Sequence, residues 1–179
     1  HLLIHAGVAM YRAGRAAEAL PVLEEALKHS PTSPLAREYH AAATYELGGV
    51  EAALSAATET ANQGIRPEFF RGHEGALAAE AGEHGRAVRA YEAALMLGAS
   101  NAETRIRLSD LFERRGDLPA AARQLELAAL ANPHSALVAN AFGLYLLRRD
   151  DPDGSVAHFI RATELDKGNG SYWSNLSAA

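Results

Sequence analysis

The chain of 179 residues contains no cysteine, which excludes a disulfide framework, a thiolate nucleophile and a thiolate zinc site and leaves the redox compartment open. Lysine is almost as scarce: Lys28 and Lys167 are the only two among 17 basic residues. Against 22 acidic residues the net charge is -5, with both signs interleaved, so there is no basic stripe of the kind that marks a nucleic-acid binder. Apolar runs are short. Leu144 to Leu147 is among the longest, far below the roughly 18 residues of a membrane span, and Leu2 to Ile4 lacks the basic flank and cleavage site of a signal peptide. No glycine-rich phosphate loop is present, because Gly72 and Gly75 lie in a helical stretch with no Lys-Ser or Lys-Thr after them. The eight histidines form no His-Glu-x-x-His motif, the usual local zinc signature on a helix. Serine, histidine and acids occur without any pattern that sets a nucleophile beside its base. The expectation is a stretch without catalytic residues, metal or cofactor, with the compartment, cytoplasm or bacterial periplasm, left open.

What the sequence has instead is a period. Glycine stands at Gly14, Gly48, Gly82 and Gly116, each 34 residues after the last, with Asp150 in the fifth place; each is expected to close a helix in the left-handed conformation. A column of small residues, Gly7, Ala41, Gly75, Ser109, Gly143 and Ser177, keeps the same spacing and predicts close approach of two helices. Ala19, Ala53, Ala87, Ala121 and Ser155 recur in register, as do Ala26, Thr60, Ala94, Ala128 and Ala162, and between them sit the larger fillers Leu23, Tyr91, Leu125 and Phe159. Ala57 is the thin exception among the fillers. A fixed period of this length is the mark of stacked helical units.

These columns resemble the tetratricopeptide repeat family, whose unit is a helix-turn-helix of about 34 residues. The best matches run from Ala6-Gly7 through Ala26 with Pro31, and from Leu108 through Ala128 with Pro133. There are departures. The terminal proline is replaced by Ile65, Ala99 and Lys167, and the usual aromatic near the end of the first helix is Thr44 and Ala78 in the second and third units, which predicts looser packing or extra curvature there. The resemblance implies an all-α, right-handed superhelical solenoid. Its units are residues 1–33, 34–67, 68–101, 102–135 and 136–169, with a partial sixth over 170–179, in a single array of residues 1–179. Because the chain opens inside a first helix without an initiator methionine and ends one helix into a unit, it is expected to be a fragment of a longer array. Short links at Pro31–Pro34, Gly64–Pro67, Gly98–Asn101 and Asn132–Ser135 suit antiparallel helices. Pro21 is expected to be tolerated early in its helix, and the helix after Asp150 is expected to start late, near Asp153.

The resemblance further implies that first helices line a concave groove. In the first half that face carries Tyr11, Leu35, Tyr39, Tyr45, Phe69 and His73, with Glu38, Ala42, Ala76 and Glu80 between them; aromatic side chains among small ones suit anchors of a bound peptide or helix. The fourth unit turns charged, with Arg107, Asp110 and Arg114 expected to orient the partner. Two family specialisations are absent. The cationic clamp that holds a terminal carboxylate would fall on Ile4, Val8, Tyr39, Phe69 and His73, or on Glu38, Ala42, His73, Glu103 and Arg107, and neither set suits it. An asparagine ladder would need asparagine at His5, Tyr39, His73, Arg107 and Ala141, and only Asn175 fits that column. Separately, Arg37, His40, Arg71 and Glu74 sit three apart in pairs, a spacing that shares a helix face, and predict a polar seam between the second and third units.

The functional expectation is a non-catalytic scaffold that holds a protein or peptide segment in its groove, with no nucleic-acid partner and no membrane insertion. Three settings stay open: a soluble adaptor or tethering arm of a bacterial envelope or polysaccharide-export complex, the recognition arm of a larger enzyme such as a glycosyltransferase, and a scaffold that self-associates through open ends.

Overall fold

Helix pairs repeat along the chain because every unit spends its small and large apolar residues on one interface. In the computed structural model, which describes residues 1–98 and 102–179, the described residues form α1 (Leu2–Arg12), α2 (Ala16–His29), α3 (Pro34–Asn62), α4 (Pro67–Glu80), α5 (His84–Met96), α6 (Ala102–Arg114), α7 (Leu118–Ala131), α8 (Ala136–Leu147), α9 (Pro152–Leu165) and α10 (Gly170–Ala178), without a strand. The fold class is all-α. Ala99 and the part of the third link over 99–101 lie outside the described residues. The chain divides into two compact units, His1–Ala99 and Ser100–Ala179, and each is described by itself. Among the described residues no helix is long and apolar enough to cross a membrane.

The turn inside a unit is built the same way four times. An amide three or four residues past the helix reaches back to a carbonyl five residues earlier: Arg15 to Met10 at 3.0 Å, Glu83 to Ala78 at 2.8 Å, Asp117 to Phe112 at 2.9 Å and Asp151 to Leu146 at 3.1 Å. This closure requires a left-handed residue in between, supplied by Gly14, Gly82, Gly116 and, at φ 61°, by Asp150. The second unit departs. Its left-handed residue is Gly49 (φ 77°, ψ −175°) rather than Gly48, and α3 is two helices meeting at that kink. This backbone region is essentially open to glycine alone, and the Gly48-Gly49 pair lets the chain turn one residue later than the period predicts.

Helix starts are fixed by local chemistry. Ser33, Asp117, Ser135 and Asp151 each accept the amide of the third residue on, at 3.3, 3.1, 3.3 and 2.9 Å, satisfying donors that a helix end leaves open. The cap by Asp151 corrects the expected late start of α9: Pro152 is its first residue, in phase with Ala16 of α2, since proline has no amide to lose there. Pro21 lies within α2 without ending it.

Inside each unit the small column of the first helix faces the filler of the second, sixteen residues on. A Cβ added at Gly7 would lie 2.7 Å from Leu23, at Gly75 2.7 Å from Tyr91, and at Gly143 2.5 Å from Phe159. Leu23, Tyr91 and Phe159 are in turn fully buried; burial of one such side chain contributes about 1.5–3 kcal/mol. In the first compact unit one core gathers around Ile4, Val8, Ala19, Leu23 and Ala36 and another around Ala57, Ala61, Ile65 and Phe70. The second compact unit has its own cores around Leu125 with Tyr145 and around Ala162 with Tyr172.

Candidate functional site

The first helices of the first three repeats and the second helix of the second leave a pocket of about 430 Å³ within the first compact unit. Its walls are Tyr11, Tyr39, Tyr45 and Leu77, its base the alanines Ala41, Ala42, Ala53, Ala57 and Ala76, and its polar edge Glu38, His73 and Glu80. Tyr11 and Tyr39 meet edge to face at 5.6 Å. The hydroxyl of Tyr39 accepts a hydrogen bond from Arg12 Nε at 2.8 Å, and the same guanidinium lies 5.3 Å from the ring. Tyr45, exposed, donates its hydroxyl to Glu80 at 2.7 Å, and that hydrogen bond, with the carboxylate's charge behind it, raises the phenol's pKa. Polar contacts at their tips thus fix the rings of Tyr39 and Tyr45.

Eight of the residues read from the sequence come together here, Tyr11, Tyr39, Tyr45 and His73 with Glu38, Ala42, Ala76 and Glu80 between them, and Leu35 and Phe69 do not line the pocket. Leu35 is exposed. Phe69 is covered instead, its ring 4.4 Å from the Arg66 guanidinium, 4.7 Å from His73 and 5.2 Å from Phe70. Arg107, Asp110 and Arg114 belong to the second compact unit. There Arg107 pairs with Glu103 at 2.6 Å, and Arg148 bridges Glu113 at 2.6 Å and Asp110 at 3.3 Å. Burial nevertheless pushes the Asp110 carboxyl up, against the pull of Arg148.

The polar seam divides in two. Arg71 binds Glu74 at 2.5 Å and Asn62 Oδ1 at 2.6 Å, while Arg37 turns away to the Pro31 carbonyl and Gln63 Oε1, both at 3.0 Å. A residue outside the expected set completes the first half: Arg86 of α5 reaches Glu74 at 3.2 Å and Thr58 Oγ1 at 2.8 Å. Burial opposes the Arg86 charge, and hydrogen bonds to Glu74 and Glu83 more than offset it, so its pKa is raised. Glu74, almost fully buried, therefore ties α5 and the second repeat to α4.

His40 stands apart, half-buried, with its pKa pulled below the ordinary 6.5 by burial first and by Arg37, against the opposing pull of Glu24 and Glu59. A depressed pKa means the unfolded chain binds the extra proton more readily. The stability His40 contributes is therefore complete above its unfolded pKa and is lost as pH falls below it through the folded value. Its column elsewhere carries Leu108, Phe142 and Leu176. His40→Leu is accordingly expected to flatten the decline in urea midpoint between pH 7.5 and pH 5; an unchanged slope would show that this side chain does not titrate on unfolding.

Stacked helix pairs of fixed period define a helical-repeat fold. The comparisons agree with this fold: residues 74–136 match the family model described as tetratricopeptide repeat, and solved structures, tetratricopeptide-repeat proteins among them, share the fold over nearly the whole chain. Among them are MamA from residue 41 onward of Desulfovibrio magneticus RS-1 (TM-score 0.75, 20% identity, 94% of this chain and 95% of that one) and TTC0263, a thermophilic protein of Thermus thermophilus (0.75, 19%, 98% and 96%). A third is YrrB, a repeat protein with an unusual peptide-binding site (0.69, 13%, 96% and 89%). At these identities the likeness establishes the fold. No curated protein matches the sequence.

Proposed function

We propose that the chain is a non-catalytic interaction scaffold whose first compact unit binds a peptide or helical segment of a partner protein in the pocket of Tyr39 and Tyr45. The observation that carries this reading is the pocket itself: aromatic walls over an alanine base, with carboxylates only at the edge. Such a surface favours apolar anchors and uses its few polar groups for orientation. One or two buried anchors contribute about 1.5–3 kcal/mol each before the cost of association, so they supply part of the affinity and the remainder comes from the rest of the bound segment. That residues 1–179 act as one array is part of the same proposal, resting on the unbroken 34-residue register. YrrB, whose description includes a peptide-binding site, lends the reading support by likeness of fold.

The test is a selection of random linear peptides on the full chain, followed by affinity measurement on the chain and its Tyr39→Ala/Tyr45→Ala variant. Recovered peptides are expected to lose at least about tenfold in affinity while the variant keeps its helical circular dichroism. Peptides that bind the variant equally well would place the interaction elsewhere and end this assignment.

A further inference from the structure

We propose that the Ala57 position makes this pocket a socket for one bulky apolar side chain of the bound segment, and that Glu38 and Glu80 select a lysine or arginine beside it. This rests on the groove reading above and gives it a specificity.

The socket follows from a missing filler. In the first, third and fifth repeats glycine faces a large side chain, Gly7 with Leu23, Gly75 with Tyr91 and Gly143 with Phe159, and each filler is so close that not even a methyl group fits on the glycine. The second repeat has Ala41 and Ala57 at the same two register positions, so the space a leucine, tyrosine or phenylalanine fills elsewhere receives a methyl group from either side. Both alanines, with Ala53 of the same helix, line the pocket. The first helix adds a second departure, since Thr44 occupies the place where Phe112 stands two repeats later, and its hydroxyl is turned back onto the His40 carbonyl at 2.7 Å. Protein interiors are close-packed, and a deficit of this size is either filled by collapse or kept open by its walls. Here part of the deficit has closed, since Ala53 and Ala57 are buried, and the remainder is a hollow over Ala41 and Ala42 lined by Tyr39, Tyr45 and Leu77.

Charge selects what sits next to the anchor. The pocket's lining includes two carboxylates and neither lysine nor arginine. Two cations flank it: Arg12 lies on Tyr39, and Arg66, over Phe69, also pairs with Glu38 at 3.7 Å. Glu80 receives the Tyr45 hydroxyl, and a carboxylate has acceptor sites for more than one donor. Residues 1–98 carry 12 acidic and 8 basic side chains, against 10 and 9 in the remainder. The first compact unit therefore concentrates the negative charge and steers a basic segment toward its surface.

The experiment uses the peptides selected above, synthesised and measured by fluorescence polarisation on four versions of the full chain: the parent, Tyr39→Ala/Tyr45→Ala, Ala41→Gly/Ala57→Leu and Glu38→Gln/Glu80→Gln. The second variant installs the glycine–leucine pair of the first repeat and fills the socket from behind. Recovered peptides are expected to share a Leu, Met, Phe or Trp next to Lys or Arg, and alanine at the apolar position or Ala41→Gly/Ala57→Leu in the chain should each weaken binding by at least about tenfold. Glu38→Gln/Glu80→Gln should retain the fold, being confined to the rim, and reduce the preference for Lys over Glu beside the anchor by several-fold. Should Ala41→Gly/Ala57→Leu not fold, the peptide substitutions and the Glu38→Gln/Glu80→Gln preference decide alone. Peptides that need Tyr39 and Tyr45 but show neither an apolar anchor nor the basic preference would overturn the socket and leave the groove reading standing. Peptides indifferent to Tyr39 and Tyr45, or none recovered, would overturn both.

Discussion

Gly75→Ala is expected to destabilise the protein by about 1–3 kcal/mol, the usual cost of forcing one extra carbon into a well-packed core, while Gly72→Ala, one helical turn away in α4, is expected to stabilise it by about 0.5–1 kcal/mol. The substitution is the same and the helix is the same. The sign differs because the added methyl at Gly75 would lie 2.7 Å from the Tyr91 ring, which is itself buried, whereas nothing lies within 4 Å of it at Gly72. Helix propensity alone would favour alanine at both sites. Urea midpoints of the helical circular dichroism of the two variants decide the matter; a Gly75→Ala protein as stable as Gly72→Ala would mean that the glycine–filler contact does not set the spacing of the helix pair.

The second large effect is expected at Glu74. Removing one partner of a buried ion pair costs about 3–5 kcal/mol because the remaining charge loses its compensation. Glu74→Ala should fall near the lower end, about 3 kcal/mol, since the side chains of Arg71 and Arg86 stay 25% and 32% exposed and water can recover part of the loss. Arg71 also keeps Asn62, and Arg86 keeps Glu83 and Thr58. Glu74→Leu, which installs the residue of Leu108 at the same register position, should lose less than Glu74→Ala because it fills the space with apolar contact. A Glu74→Ala midpoint equal to the parent's would show the triad to be a surface network of little weight.

The reach of sequence reasoning differs between these two cases for a physical reason. The Gly75–Tyr91 contact was legible because both partners sit in strict 34-residue columns and recur as Gly7–Leu23 and Gly143–Phe159. Arg86 was not, because its column holds Glu18, Ala52, Ala120 and Gly154, and its pairing with Glu74 joins two helices through side chains specific to one repeat. The turn at Gly49 escaped the period because two adjacent glycines leave the choice to local backbone geometry, and the start of α9 was misjudged because the capping by Asp151 outweighs the breaking tendency of Pro152 and Gly154. The pocket was legible as an aromatic face at Tyr11, Tyr39, Tyr45 and His73. Its depth was not, for Ala53 and Leu77 join the lining only through the packing of neighbouring helices.

The most direct measurement of the central claim is a methyl-selective NMR titration of the full chain with a selected peptide. Shifts are expected to concentrate on the methyl groups of Ala42, Ala76 and Leu77 at the pocket, with those of Leu137 and Leu144 in the second compact unit unmoved. Shifts centred on Leu137 and Leu144, with Ala42, Ala76 and Leu77 silent, would contradict it.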